Sequence, residues 1–430
     1  MTHQTLSNIV GARFGRSQNT KIQNGRRRTV LRKMVAAPRC GRPLWGGSLP
    51  ALLIAFTLAG AANALSAEMK PQPSGIYDLL FGAPVTGKID LTNNPLLDNP
   101  NIDGFRYKVG WYKIQPDNAA TFNWESIDSA IAIAAAHGKK LCVSIAGGFS
   151  TPEWAYTTAP IVYKYVMLEK DLDTGLSIGN QPLPWDTAYQ AKWLTFLAAF
   201  AAKYESNPAC SYVVMGGFMQ TFNMTIAGTD EDFTAIENLA KNPPPGYPGL
   251  VTAYPDFSAA YLPAAEKIID GYVTSFPTTS LLITMYKVVP GDLGITLQNA
   301  VADWGKATYP VHFGTMVSAL YATVPPHAPP GPPLSYPKGF QMVCHAIDDP
   351  ARVYIDPDPV PMPPFPIPLE DALEHGVTLG AKYIEVYEED LVPEISQPVL
   401  AVERAKLQAN MDGDGDPPGP PAPPTGLHVL

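Results

Sequence analysis

Cysteine is scarce in this chain, four among 430 residues, and Cys40 falls in a leader-like stretch of different composition. The other three, Cys142, Cys210 and Cys344, make no CxxC pair, and two of them sit within apolar strand candidates. That spacing points to neither a disulfide framework nor a zinc site, and buried free thiols are the expectation. Charge is sparse too, at 16% of residues against 46% hydrophobic. With 20 Tyr, 16 Phe and 7 Trp, that balance excludes a disordered chain and leaves ample material for one large core. Also missing is a glycine-rich phosphate loop or a cluster of ligands, so no cofactor, whether metal, nucleotide or flavin, is implied.

Acidic residues are absent from 1–67, which holds ten Lys or Arg. Near its end, 49–61 is an apolar run too short for a comfortable membrane span, followed by Ala62-Asn63-Ala64. A basic region, a short apolar region and a small-x-small site read as a secretory signal peptide. Arg27-Arg28-Thr29-Val30-Leu31 resembles a twin-arginine signal, but the apolar run begins well downstream. Ordinary export is therefore expected, with Met34 as an alternative start and an uncleaved membrane anchor as the rival reading. Without the ten basic residues of 1–67, the body has 20 basic and 39 acidic residues, a formal −19. Phosphate backbones are repelled, so nucleic acid is not an expected partner, while a neutral sugar is indifferent to that charge. The expected location is secreted, either periplasmic or extracellular.

Alternating elements follow. Residues 102–111 are rich in β-formers. In 124–138, Ile127, Ile131 and Ala134 fall at helical spacing, with an acidic first turn and a glycine stop, and 140–148 is a second apolar strand. Such a β-α-β unit predicts a parallel sheet. Further strands are expected at 212–217, 281–286, 311–316, 340–345 and 383–387, and helices at 189–204, 257–276, 298–306 and 369–376. The first of these helices sets Trp193, Leu197 and Phe200 on one side. A long aromatic insertion, 151–186, is expected over the C-terminal face of the sheet. The Pro-rich segments 242–248, 325–337 and 356–368 read as surface excursions at a rim. An acidic, Pro-rich tail is placed at 406–430, where 421–427 resembles the first strand of a fibronectin type III module. Asp412-Gly413-Asp414-Gly415-Asp416 lacks the bidentate acid of a calcium loop.

Arg106, Trp111, Gln115-Pro116, Phe122-Asn123-Trp124, Ile127-Asp128 and Thr151-Pro152-Glu153-Trp154 together resemble the opening of the β-galactosidase-like glycoside hydrolases. Pro182-Leu183-Pro184-Trp185-Asp186, Gly339-Phe340-Gln341 and Lys382-Tyr383-Ile384-Glu385-Val386-Tyr387 extend the resemblance over 102–399. It implies an α/β fold, a single (β/α)8 TIM barrel over 68–405, with its site at the C-terminal face. In the resembling family one glutamate ending strand four is the acid/base and another ending strand seven is the nucleophile, flanking an oxocarbenium-like state. Here Asn223 stands where the first glutamate is expected. Gln341-Met342-Val343-Cys344-His345 carries no carboxylate, and an amide supplies no acid proton.

The remaining acids lie on or after strand eight. Alternation puts Tyr383, Glu385 and Tyr387 on one face and Ile384 and Val386 on the other, so Glu385 points into the barrel. A buried carboxylate needs a partner. Arg106, read as lying on strand one beside strand eight, is the natural one, which sets a structural ion pair against a catalytic role. Glu385 and Glu388 are the catalytic candidates, with Glu153 as a loop acid opposite. Arg106, Trp111, Trp154, Trp185, Asp186, Gln220, Asn223, Tyr286, Gln341 and His345 are the substrate-binding candidates. For the Trp residues core packing is the dull alternative, for Asp186 a helix cap, and for His345 a satisfied core histidine. The expected function is a secreted glycoside hydrolase-like protein acting on an oligo- or polysaccharide. A catalytically inactive carbohydrate-binding or scaffold barrel is the alternative.

Overall fold

The computed structural model describes residues 68–80, 91–170, 174–219, 225–317, 320, 338–341 and 369–412. Its strands are β1 Gly75–Leu80, β2 Gly104–Gly110, β3 Lys140–Ala146, β4 Cys210–Val214, β5 Ser280–Met285, β6 Phe313–Val317, β7 Lys338–Gln341 and β8 Tyr383–Val386. Each pairs in parallel with the next, and β8 returns to β1 with Tyr77 opposite Glu385, which closes the ring. The parallel α/β barrel expected from the sequence is therefore present. Among the described residues no helix lies between β1 and β2.

Helices α1 Glu125–Ala136, α2 Thr187–Tyr204, α3 Asp230–Lys241, α4 Phe257–Ser275, α5 Gly291–Thr308, α6 Leu369–Thr378 and α7 Gln397–Asp412 follow in order. Ile127, Ala130, Ile131 and Ala134 give α1 one buried stripe, and Gly138 ends it at φ 68°, a left-handed conformation that suits glycine. Outward-facing strand residues such as Phe105, Leu141, Val213, Leu281 and Ile384 join the helices in one buried core.

The structure corrects the strand count. Sequence patterning misses β1, a six-residue ribbon carrying a charge at Asp78 in its middle. Arg106 consequently belongs to the second strand, and β1 separates it from β8. Two helices, α3 and α7, are likewise unforeseen. The last runs to Asp412 and buries Leu400 and Leu407, so ordered structure continues past residue 405, where the sequence reading starts the tail. Arg404 on α7 holds Asp103, just before β2, with two hydrogen bonds of 2.8 and 2.6 Å. The Pro-rich loop 242–248 joins α3 to α4. The segments 325–337 and 356–368, the leader and the residues after 412 lie outside the described residues.

The insertion after β3 contains a short helix, Glu153–Thr157, and an antiparallel ribbon of Tyr165–Val166 with Asn180–Gln181. Asp232, in the first turn of α3, fastens it. Its carboxylate accepts from the Tyr165 hydroxyl at 2.6 Å and from the Leu168 and Glu169 N–H groups at 2.7 and 2.9 Å. Asp232→Ala strips the acceptor from all three donors and is expected to cost roughly 1–3 kcal/mol. The expected readout is faster proteolytic cleavage within 165–181; an unchanged cleavage rate would show that the ribbon is held by other contacts.

Candidate functional site

Even-numbered strands build a layer inside the barrel. Arg106 on β2, Tyr212 on β4, Met316 on β6 and Glu385 on β8 meet there, the arrangement of alternate strands that fills barrels of this size. Arg106 Nη1 donates to Glu385 Oε2 at 2.6 Å and to Met316 Sδ at 3.6 Å. The Tyr212 hydroxyl donates to Glu385 Oε1 at 2.7 Å. Neither Arg106 nor Glu385 has any exposed side-chain surface, so the pair is fully desolvated. The ion pair foreseen between these residues is thus formed, by side chains reaching past β1 rather than between neighbouring strands.

Tyr77, Tyr212 and Tyr383 pack around it, with ring centroids 5.0–5.7 Å apart. Burial raises the Tyr212 and Tyr383 phenols well above their ordinary range, and the Glu385 charge adds to the effect. Burial pushes Arg106 down, but attraction to Glu385 leads the opposing effects and the net shift is upward. The next inward residue of β2, Lys108, is buried as well. Burial first, then the Arg106 charge, holds its ammonium well below the usual lysine range. Sequence reasoning overlooks Lys108 and Tyr212. The period-2 signal that located Glu385 also turns Lys108 inward from Arg106.

Burial raises both described thiols: Cys142 well above its ordinary value, and Cys210 to about 12. Neither supplies a thiolate near neutral pH. In the native full-length protein both are expected to resist iodoacetamide at about pH 8 and to react once unfolded, as followed by peptide mass mapping. Alkylation of native Cys142 would mean that the barrel interior opens readily.

The tryptophan candidates pack among other rings. Trp111 is wholly buried, donates to Gln115 Oε1 at 2.8 Å, and packs on Trp154, Trp193 and Phe196 outside the barrel. Trp154 donates to the Gln115 carbonyl at 2.8 Å, and Trp185 is edge-on to Phe257. All three are buried, so no broad ring face is open to a sugar. Asp186 is the N-cap of α2. Its Oδ1 accepts from the Ala188 and Tyr189 N–H groups, its Oδ2 from that of Tyr163, and burial raises its carboxyl. Trp111 and Trp185 meet rings carried by the helices, Trp193 and Phe196 of α2 and Phe257 of α4.

Tyr286 stands just past β5 with 39% of its surface exposed. Glu388 opens the short helix Glu388–Leu391 after β8 and is buried. The backbone of Gln341 is in register with Glu385. Gln220, Asn223 and His345 lie outside the described residues. Glu153 is on the insertion and pairs with Lys164 at 2.6 Å. Two open grooves of about 560 and 500 Å³ are lined by residues of the outer flank, and Glu385 borders neither. Among the described residues no group of three or more His, Cys, Asp or Glu is placed to hold a metal ion. No described helix is long and apolar enough to cross a membrane.

No protein-family model matches the chain, and no curated protein does. Solved structures similar to it include a psychrophilic glycoside hydrolase family 10 endo-β-1,4-xylanase, with 13% identity over 58% of this chain and 64% of that one, at a TM-score of 0.31. The β-galactosidase of the psychrophilic Marinomonas ef1 has 12% identity over 58% of this chain and 41% of that one, at 0.34. A GH36 α-galactosidase from Geobacillus stearothermophilus has 10% identity over 81% of this chain and 44% of that one, at 0.38. The chain thus spans less than two thirds of the length of each of these neighbours.

Proposed function

We propose that this chain is an exported protein of the β-galactosidase-like glycoside hydrolase type, a complete (β/α)8 barrel with Pro-rich rim insertions that acts on an oligo- or polysaccharide at its C-terminal mouth. The observation that carries the reading is the interior pair of Arg106 and Glu385, two residues of the motifs that resemble this family, joined at 2.6 Å in a closed parallel barrel. Glu385 holds the interior layer, and Glu388 is the first acid in sequence past the end of β8. A glycosidic bond needs a proton donor and a second carboxylate on opposite sides of the sugar. The partner acid is taken from the loops of the same face.

One observation favours a second reading, a barrel that grips carbohydrate without cleaving it. Both oxygens of Glu385 are bonded, in a side chain without exposure, which leaves this carboxylate no open edge toward an anomeric carbon. The deciding experiment sets the purified full chain against aryl glycosides and soluble polysaccharides, beside Glu388→Gln. Turnover lost in Glu388→Gln, with folding and binding retained, is the result expected for the hydrolase. Binding without turnover supports the second reading. Neither binding nor turnover across the panel would overturn both.

A further inference from the structure

A shallow, open groove of about 560 Å³ lies on the outer flank, and none of its lining residues belongs to a strand. Its wall is the pair Phe122 and Trp124, whose rings stack at 5.2 Å with only 8° between their planes. Both rings are half-buried. Trp124 cannot swing aside easily, because Phe196 and Phe200 of α2 stack against it at 5.9 and 6.2 Å and Tyr204 meets it edge-on at 5.6 Å. The rim is polar in both senses. Asn123, Glu125 and Ser129 are exposed, and Lys203 is held at 3.0 Å by Asp128, which also accepts from the Tyr204 hydroxyl at 2.9 Å.

Helix capping does not explain the choice of residue, although packing on α2 holds the ring in place. Trp124 occupies the N-cap of α1 and makes no side-chain cap, a position where Ser, Thr, Asp or Asn stabilises a helix. A flat, rigid aromatic face ringed by donors and acceptors suits a ligand with an apolar face and a hydroxyl-bearing edge. Lys203 is balanced by Asp128 and Glu125 remains over, so the rim is slightly acidic, which disfavours an anionic ligand and leaves a neutral one unopposed.

We infer that this groove is a second carbohydrate-binding site, separate from the barrel mouth, which takes a neutral pyranose unit of a longer chain against Phe122 and Trp124. The inference rests on the carbohydrate reading given above and adds to it a site that holds the polymer beside the mouth. Calorimetric titration of the full chain with cello-, xylo- and galacto-configured hexasaccharides tests it. Phe122→Ala removes part of the platform; Ser129→Arg crowds the groove from the exposed face of α1 without altering the rings, and so serves if the first variant fails to fold. Tyr286→Ala at the mouth is the control.

The expected result is that each groove variant weakens the second binding event about tenfold, while Tyr286→Ala leaves that event intact. Full stoichiometry and affinity in Ser129→Arg, alongside binding that Tyr286→Ala weakens, would overturn the groove and leave the function standing. A wild-type chain that binds none of the probes would overturn the carbohydrate reading, and the groove with it.

Discussion

Glu385→Ala is expected to lower the unfolding free energy by roughly 3–5 kcal/mol, because it leaves the Arg106 guanidinium charged in a place with no solvent exposure. The Tyr212 hydroxyl loses its acceptor as well. The sulfur atoms of Met316 and Cys142 are weak substitutes for a carboxylate, and Leu282 and Val214 of the same interior offer no acceptor at all. Denaturant unfolding measures the effect, with a constant slope confirming that the transition itself is unchanged. The double variant Arg106→Met with Glu385→Leu removes both charges and is expected to recover most of the loss, since a desolvated pair is costly to break and cheap to replace whole. If Glu385→Ala costs under about 1 kcal/mol, the pair is solvated in solution and the interior layer is not closed.

The second large effect concerns Trp111. Truncation to alanine removes a ring that touches Trp154 at 5.8 Å, Trp193 at 5.1 Å and Phe196 at 5.5 Å, and is expected to cost roughly 3–5 kcal/mol through the cavity left behind. Carbohydrate affinity measured on the fraction still folded is expected to be unchanged. A tenfold loss of affinity at undiminished stability would return Trp111 to the binding surface where its sequence position suggested it.

These two residues show what was legible. On β8 a single rule, alternation, separates Ile384 and Val386 from Tyr383 and Glu385, and the observed burial follows it because both faces of a barrel strand are covered. The partner of Glu385 was readable in identity but not in placement: a buried acid demands a cation, yet Arg106 was expected on the strand beside β8, and β1 stands between them. β1 was not readable. Its six residues stand alone before a long connection, with no helical period to mark them as half of a repeat. The burial of the tryptophans was not readable for another reason: such a ring is equally at home at a mouth or under a helix, and the path of α2, capped by Asp186, is what buries Trp111. The contribution of Tyr212 was hidden because a tyrosine in an apolar strand looks like core until its hydroxyl is seen to meet a charge.

The pairing of β1 with β8 joins positions near the two ends of the described body, Gly75 with Tyr383. During synthesis, then, the ring stays an open arc through most of elongation, with two raw margins of unpaired backbone that invite association with other chains. Stop the ribosome before Tyr383 and the product keeps both margins, so truncated forms of this protein are expected to accumulate as aggregates rather than as smaller soluble barrels.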